Sequence, residues 1–368
     1  METPLIPLYT TDELKKIREN FMKELTEASQ GTTNSLAFLK NTLPLHEMVK
    51  DGEVYQAITI GGTVCKNALC KRNGKSAEII ELRQTNLPLI TTRGIFLELM
   101  RQQIDQHVNV IGLSFAFPLN PIVRQERLDG ILLKSTKEHT CEGLIGKTIG
   151  EEVEQDMRTT LQRNIKITVA NDTVCLVLSG LIQAESSVIV GGIVGTGTNM
   201  GIFLDEKTVI NLESGNFSDL KQTATGILID KDSASPGSHM FEKEVSGAYL
   251  YKHYNLVVQQ NHLPFPLLNS SEDLFNVAAD APQESMTIAR ALFKRSAGLV
   301  AAQISGMYDY KKQPKLTFIM EGTLFWSGYE YKQLVEEYLR EFGIGGDAIS
   351  FVKINNSDII GSSQLPLI

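Results

Sequence analysis

The chain has little of several things, and each scarcity narrows what it can be. It carries one tryptophan and four cysteines in 368 residues. The cysteines, Cys65, Cys70, Cys141 and Cys175, show no CxxC spacing, so free thiols in a reducing compartment are expected. No apolar run reaches the ~20 residues that cross a bilayer, and the N-terminus has no signal-peptide pattern. A cytoplasmic protein with no membrane partner is the expectation. A basic excess is also missing. With 35 Lys and Arg against 43 Asp and Glu, the net charge is −8. That argues against a general nucleic-acid binder, whose phosphate contacts need a basic face. It leaves a nucleotide open, because a metal ion and backbone N–H groups hold phosphates locally. Finally, no low-complexity linker interrupts the chain. Its length exceeds one ordinary core, so two tightly coupled domains are predicted.

What is present is ordinary globular composition, 42% hydrophobic and 21% charged. Thr10 and Glu13 have capping-box spacing, and Leu14, Ile17, Phe21 and Leu25 repeat at helical intervals, so an amphipathic first helix packs on a domain. Val54–Ile60 reads as a buried strand, Val64–Lys71 as a second, and Asn73-Gly74 as the turn into a third at Ala77–Leu82. Arg93–Gln106 and Lys147–Arg163 read as helices, and Val108–Phe115 as a strand. Later come a hairpin over 200–212, a long helix Glu284–Met307, a strand Leu316–Met320, a helix Tyr329–Phe342 and a last strand Ile349–Ile354. Two glycine-threonine turns, Gly61-Gly62-Thr63 and Gly195-Thr196-Gly197, each follow an apolar strand and open a set of paired strands. This suggests an architecture repeated twice, with a site between the halves.

The stretch 165–199 carries the chemistry. A strand delivers Asn171-Asp172 to the mouth of a helix, and a second strand ends in Gly195-Thr196-Gly197. The carboxylate suits proton abstraction and the turn suits phosphate, which are the two halves of a phosphoryl transfer. Each feature has a plainer alternative. Asp172 could cap the helix, the glycine turn could be an ordinary hairpin, and Glu213 and Glu242 could be solvated surface carboxylates. Trp326 reads as packing rather than base stacking.

In their joint order, these motifs resemble the hexokinase family of the sugar-kinase/actin/heat-shock-70 superfamily, over nearly the whole chain. Ser35-Leu36 to Leu43-Pro44 and Ile58–Thr63 look like its entry segment and first phosphate loop. Ile111–Pro118 and Leu133–Lys137 look like its sugar signature, and Asn171–Val174 like its catalytic segment. Ile193–Asn199 resembles its second phosphate loop. Asn211–Glu213, Phe241–Lys243, Ser246-Gly247 and Tyr249-Leu250 resemble further sugar contacts. Glu321–Phe325 resembles the adenosine motif, and Gly361-Ser362 the C-terminal glycine-serine.

The resemblance implies a two-domain, actin-like (ribonuclease H-like) α/β fold with a central cleft. Residues 54–187 would form the small domain, and 1–53 with 188–368 the large one. It implies ATP-dependent phosphorylation of a hexose such as glucose, at the 6-hydroxyl, feeding glycolysis. Asp172 would be the base. Thr136, Lys137, Asn171, Asn199, Glu213 and Glu242 would hold the sugar. Gly61, Gly62, Thr63, Lys66, Gly195, Thr196, Gly197, Gly322, Thr323, Gly361 and Ser362 would hold the nucleotide, with Mg2+ neutralising phosphate charge. The alternatives are a kinase for another sugar or donor, and a sugar-binding regulator with weak or lost catalysis. The partners implied are a small hexose and a nucleotide; nothing sets the oligomeric state.

The departures from the family pattern are specific. Thr59 stands where an aspartate is usual, Val64 where an asparagine is, and Lys66 where an arginine is. Ala116 replaces a serine, Ser135 a tryptophan and Glu321 an aspartate, and the chain stops at Ile368, which leaves the closing helix short or absent. These changes leave the proton-abstracting residues in place and bear on metal placement and sugar affinity.

Overall fold

A computed structural model describes residues 5–44, 47–135 and 139–368. The chain divides into two compact units, each gathered from three stretches. The first comprises Met1–Phe38, Gly192–Met200 and Leu212–Lys353. The second comprises Leu39–Gly191, Gly201–Asn211 and Ile354–Ile368.

The second unit is built on a five-stranded sheet in the order Ser76–Asn86, Val64–Asn73, Val54–Ile60, Val110–Phe115, Lys166–Ala170. The first three strands are antiparallel, and Val110–Phe115 runs parallel to both Val54–Ile60 and Lys166–Ala170. Val54–Ile60 is buried at every position after Val54, which is why it reads as a continuous apolar run rather than an alternation. The edge strand Ser76–Asn86 instead alternates in exposure, and Glu78, Glu81 and Arg83 put charge along the open edge. The hairpin closes at Gly74, whose φ of +61° needs a residue without Cβ strain.

One face of this sheet packs Ile58, Ile60, Leu113 and Phe115 against the helices Arg93–Gln103 and Ile149–Leu161. On the other face Tyr55, Ala57 and Cys70 pack with Ile359 and Leu367. The helix Ser357–Gln364 lies tight against this face. A Cβ on Gly361 would run into the Cys175 carbonyl oxygen, and one on Gly112 into the Ser362 carbonyl. The hairpin Leu119–Arg124 with Arg127–Leu132 was not anticipated. Arg127 and Asp129 are buried, and Arg124 half-buried, in an ionic cluster, so its pattern does not alternate. Glu154 accepts from Arg124 (2.9 Å), Arg127 (2.8 Å) and the Ile167 N–H (2.9 Å), while Asp129 accepts from the Gly130 and Gly150 N–H groups. A further antiparallel ladder joins Leu39–Thr42 to Thr208–Asn211, which pairs in turn with residues 201–205.

In the first unit the helix Thr11–Ser29 starts in the expected capping box. Its Leu14 and Phe21 lie against Gly298 and Gly306 of the long helix Gln283–Lys311, whose glycines let the two helices approach. Leu316–Glu321 and Ile349–Val352 pair in parallel. The helices Met240–Val245 and Gly247–Gln260 flank the turn that follows Val194.

Candidate functional site

In the second unit the strand Lys166–Ala170 ends at Asn171, and Asn171, not Asp172, caps the helix Asp172–Ser179: its Oδ1 accepts the Thr173 N–H at 3.0 Å. The same oxygen accepts from the Asn211 amide (3.2 Å), and the Asn171 amide donates to the Phe117 carbonyl (3.3 Å). Asn171 is thereby locked, and only 8% exposed. Asp172 is the first helical residue, partly exposed, with Oδ1 accepting the Thr173 N–H at 2.8 Å. A carboxylate at a helix N-terminus gains from the positive end of the dipole.

The turn Gly61-Gly62-Thr63 is closed by the Gly61 N–H donating to the Val64 carbonyl at 2.9 Å. The Thr63 carbonyl accepts from Leu87 (2.8 Å), and His139 Nε2 lies 3.2 Å from the Gly62 carbonyl. Because His139 Nδ1 accepts the Ile90 N–H (2.9 Å), Nε2 carries the proton and donates to Gly62. Thr136 and Lys137, called as sugar ligands, lie outside the described residues. Lys66 Nζ grips both oxygens of Asp358, at 3.0 and 2.8 Å, and the Thr59 hydroxyl donates to the same carboxylate at 3.3 Å. Gly361 and Ser362 are buried; Gly361 makes the close approach to Cys175, and the Ser362 hydroxyl donates to the Ile359 carbonyl at 3.0 Å. Burial pushes the Cys175 thiol up to about 12, and the charges of Asp172 and Asp358 add to the rise.

The first unit holds the other called residues. In Gly195-Thr196-Gly197 the Gly195 N–H donates to the Gly197 carbonyl at 2.9 Å. The Gly195 and Thr196 carbonyls accept from Gly247 (2.8 Å) and Ala248 (3.2 Å), so the opening N–H groups of the helix Gly247–Gln260 are satisfied by the turn itself. Thr196 is exposed. Gly322, at φ +112°, presses its backbone on Val194 and Gly195, which brings Gly322-Thr323 to the same turn. Glu242 accepts the Thr198 N–H at 2.9 Å, and a Cβ on Gly197 would fall 2.7 Å from its carboxylate, so the approach requires glycine. Asn199 Oδ1 accepts from Met200 (2.7 Å) and Ser214 (3.1 Å). Glu213 stands at φ +49°, a left-handed conformation costing on the order of 1 kcal/mol for a residue with a Cβ. Burial holds the Glu242 carboxyl above its ordinary range, and the Glu213 charge adds to that. Beside these groups the hydroxyls of Thr198, Ser214 and Ser246 are buried without a hydrogen-bond partner among the described residues. Carboxylates, an amide and unpartnered hydroxyls make a lining suited to a polyhydroxyl ligand.

Sequence reasoning did not single out Asp358, His139, Thr198 or Ser214. His139 stands two residues after Lys137 and could have been found by its nearness to Thr136-Lys137. Asp358 had no local signal: it meets Thr59 across 299 positions of chain. Trp326 packs as expected, edge-on to Phe325, with Nε1 donating to the Met320 carbonyl.

Two family models described as hexokinase match the chain, one over residues 8–182 and the other over 189–279 and 267–365. Among curated proteins, hexokinase-7 of Oryza sativa subsp. japonica is 28% identical over 234 residues, covering 54% of this chain and 49% of its own. A hexokinase-like 1 protein of Arabidopsis thaliana is 34% identical over 157 residues, 38% of this chain and 30% of that one. The chain thus spans half or less of the length of these two relatives. Among solved structures, Schistosoma mansoni hexokinase complexed with glucose matches with a TM-score of 0.78 at 18% identity, over 98% of this chain and 96% of that one. A ROK family glucokinase of Streptomyces griseus, solved with glucose and AMPPNP, matches with a TM-score of 0.56 at 14% identity, over 85% and 99%. The expected actin-like α/β sugar-kinase fold is the fold observed.

Proposed function

Because the chain belongs to the hexokinase family, we propose that it transfers the γ-phosphoryl group of ATP to a hexose such as glucose, at the 6-hydroxyl. The observation that supports this best is the division of labour at the strand end. Asn171 occupies the cap position, so Asp172, which shares the Thr173 N–H with it, lies within the helix and stays partly exposed at its mouth.

The roles follow from the chemistry. Asp172 accepts the proton of the attacking hydroxyl as its oxygen bonds to the γ-phosphorus and the bridging bond to ADP breaks. Asn199, Glu213 and Glu242 orient the sugar by hydrogen bonds to its hydroxyls, with Asn171, Thr136 and Lys137 in the same office. The turns at Gly61 and Gly195, with Gly322-Thr323 and Lys66, hold the nucleotide. When bound, magnesium neutralises charge on the phosphates. The residues present fit that ion as a hydrated companion of the nucleotide: no group of three or more His, Cys, Asp or Glu side chains gathers among the described residues, while one carboxylate stands at the first turn.

The test is a phosphotransfer assay over a panel of sugars and donors with magnesium, on wild type and Asp172→Asn. Wild type should form the sugar phosphate. Asp172→Asn, which keeps the shape but takes no proton at neutral pH, should lose about 10²- to 10⁴-fold in kcat while still binding sugar. Full turnover in that variant would remove Asp172 as the base. A second reading, a sugar-binding regulator, is favoured by Thr59, which brings no charge to the first turn. Sugar binding without any turnover in wild type would select it.

A further inference from the structure

We propose that Asp358 is the positioning carboxylate for the hydrated divalent cation that accompanies the nucleotide, supplying from the end of the chain the negative charge that position 59 lacks. The inference rests on the kinase reading above.

The geometry carries it. Thr59 lies two residues before Gly61, on the strand that leads into the first glycine turn, and is 4% exposed. Its hydroxyl donates to Asp358 Oδ2. Lys66, directly opposite Thr59 in the antiparallel register, holds both oxygens of the same carboxylate. Position 59 is thus the base on which a carboxylate from elsewhere is seated. Asp358 is fixed from behind as well. It sits in the first turn of the helix Ser357–Gln364, with Oδ1 accepting the Ile359 N–H at 2.9 Å. That helix is wedged by Gly361 on Cys175 and by Ser362 on Gly112, which leaves little freedom to slide. Gly361 and Cys175 each lie three residues after a carboxylate, Asp358 and Asp172, and the Cys175 thiol feels both charges.

The side chains of Lys66 and Asp358 remain 22% and 33% exposed, so water reaches Asp358. Magnesium dehydrates reluctantly and is held through its waters by one or two carboxylates plus phosphate oxygens. Lys66, a point charge on a flexible stem, can turn to the phosphates when they arrive. That leaves the Asp358 oxygens to accept hydrogen bonds from the metal-bound waters, with the Thr59 hydroxyl and the Ile359 N–H still orienting the carboxylate.

The experiment measures Mn2+ affinity by electron paramagnetic resonance in the presence of saturating AMPPNP, for wild type, Asp358→Asn, Thr59→Asp and the double variant. AMPPNP affinity without metal and far-ultraviolet circular dichroism are recorded for each. Asp358→Asn keeps the shape and should weaken Mn2+ about 10- to 100-fold. Thr59→Asp in that background returns a carboxylate to the strand and should recover most of the loss. Thr59→Asp alone sets two like charges together and should bring no gain. Unchanged Mn2+ affinity in a folded Asp358→Asn that binds AMPPNP would overturn the proposal and leave the kinase reading standing. A wild type that binds no AMPPNP at all would overturn both.

Discussion

The two glycine-threonine turns each follow an apolar strand, and different contacts surround them. Gly195-Thr196-Gly197 keeps its family pattern, and its supports come from one unit's own nearby backbone: the N–H groups of Gly247 and Ala248, and the close approach of Gly322. Gly61-Gly62-Thr63 departs from the pattern at Thr59, Val64 and Lys66. Beside its backbone bonds to Val64 and Leu87, it leans on side chains, the His139 imidazole on Gly62 and the Asp358 carboxylate on Thr59 and Lys66. A turn held by backbone can survive any side-chain drift that spares its glycines. A turn held by side chains can lose one carboxylate only where another takes its place.

This comparison can be broken at the backbone-held turn, where the largest effect is expected. Gly322→Ala places a Cβ against the Val194 carbonyl at φ +112°, where L residues are strained. Steric strain and overpacking together should cost about 3 kcal/mol, read by urea unfolding. A loss under about 0.5 kcal/mol would show that the turn tolerates displacement and is not backbone-limited. At the other turn the equivalent lever is remote. Gly361→Ala pushes the last helix off Cys175 and should cost about 2 kcal/mol. It should also raise the magnesium needed for half-maximal rate, because Asp358 moves with the helix. Destabilisation with an unchanged metal requirement would separate the helix's packing from its service to the turn.

The contrast also explains what could be read from the sequence. Elements that are one apolar run or one helical period were legible: the strand Val54–Ile60, the capped helix Thr11–Ser29 and the strand Leu316–Glu321 stand close to their expected bounds. The hexokinase resemblance and the fold class were legible for the same reason as the second turn, since local motifs keep their order along the chain. The hairpin 119–132 was not, because Arg127 and Asp129 are buried, Arg124 is half-buried, and all three are paired where a reader expects apolar residues. The capping role of Asn171 and the seating of Asp358 were hidden too. The first depends on which of two adjacent polar residues bends out of the helix, the second on a contact made only when the chain has folded.

A smaller effect is expected at His139. His139→Ala removes the donor to the Gly62 carbonyl and the acceptor for the N–H of Ile90, itself a buried residue. Leaving that amide unsatisfied costs about 1–2 kcal/mol. His139→Gln, which can offer both a donor and an acceptor, should recover part of it. Equal stability of wild type and the alanine variant would show that the imidazole is not a support of the first turn.

The smallest effect has the opposite sign, and it lies beside the second turn. Burial raises the Glu242 carboxyl above its ordinary value of 4.5, with repulsion from Glu213 adding to the shift. A raised folded value means that, between the unfolded and folded values, the native state holds the proton more tightly than the unfolded chain does. Stability therefore falls as pH rises through that window, and the full penalty is present above it. Glu242→Gln keeps an oxygen to accept the Thr198 N–H, at 2.9 Å in wild type, and removes the buried charge. The variant should melt slightly higher than wild type at pH 7, and the gain should fade as the pH is lowered toward 4.5. If Glu242 holds the sugar as proposed, the variant's sugar affinity should fall, because a carboxylate with two acceptor oxygens is replaced by an amide that accepts through one. A lower melting temperature at pH 7 would mean that the charged bond to Thr198 outweighs the cost of burial. The glutamate would then be part of what holds the turn rather than a strain kept for the ligand.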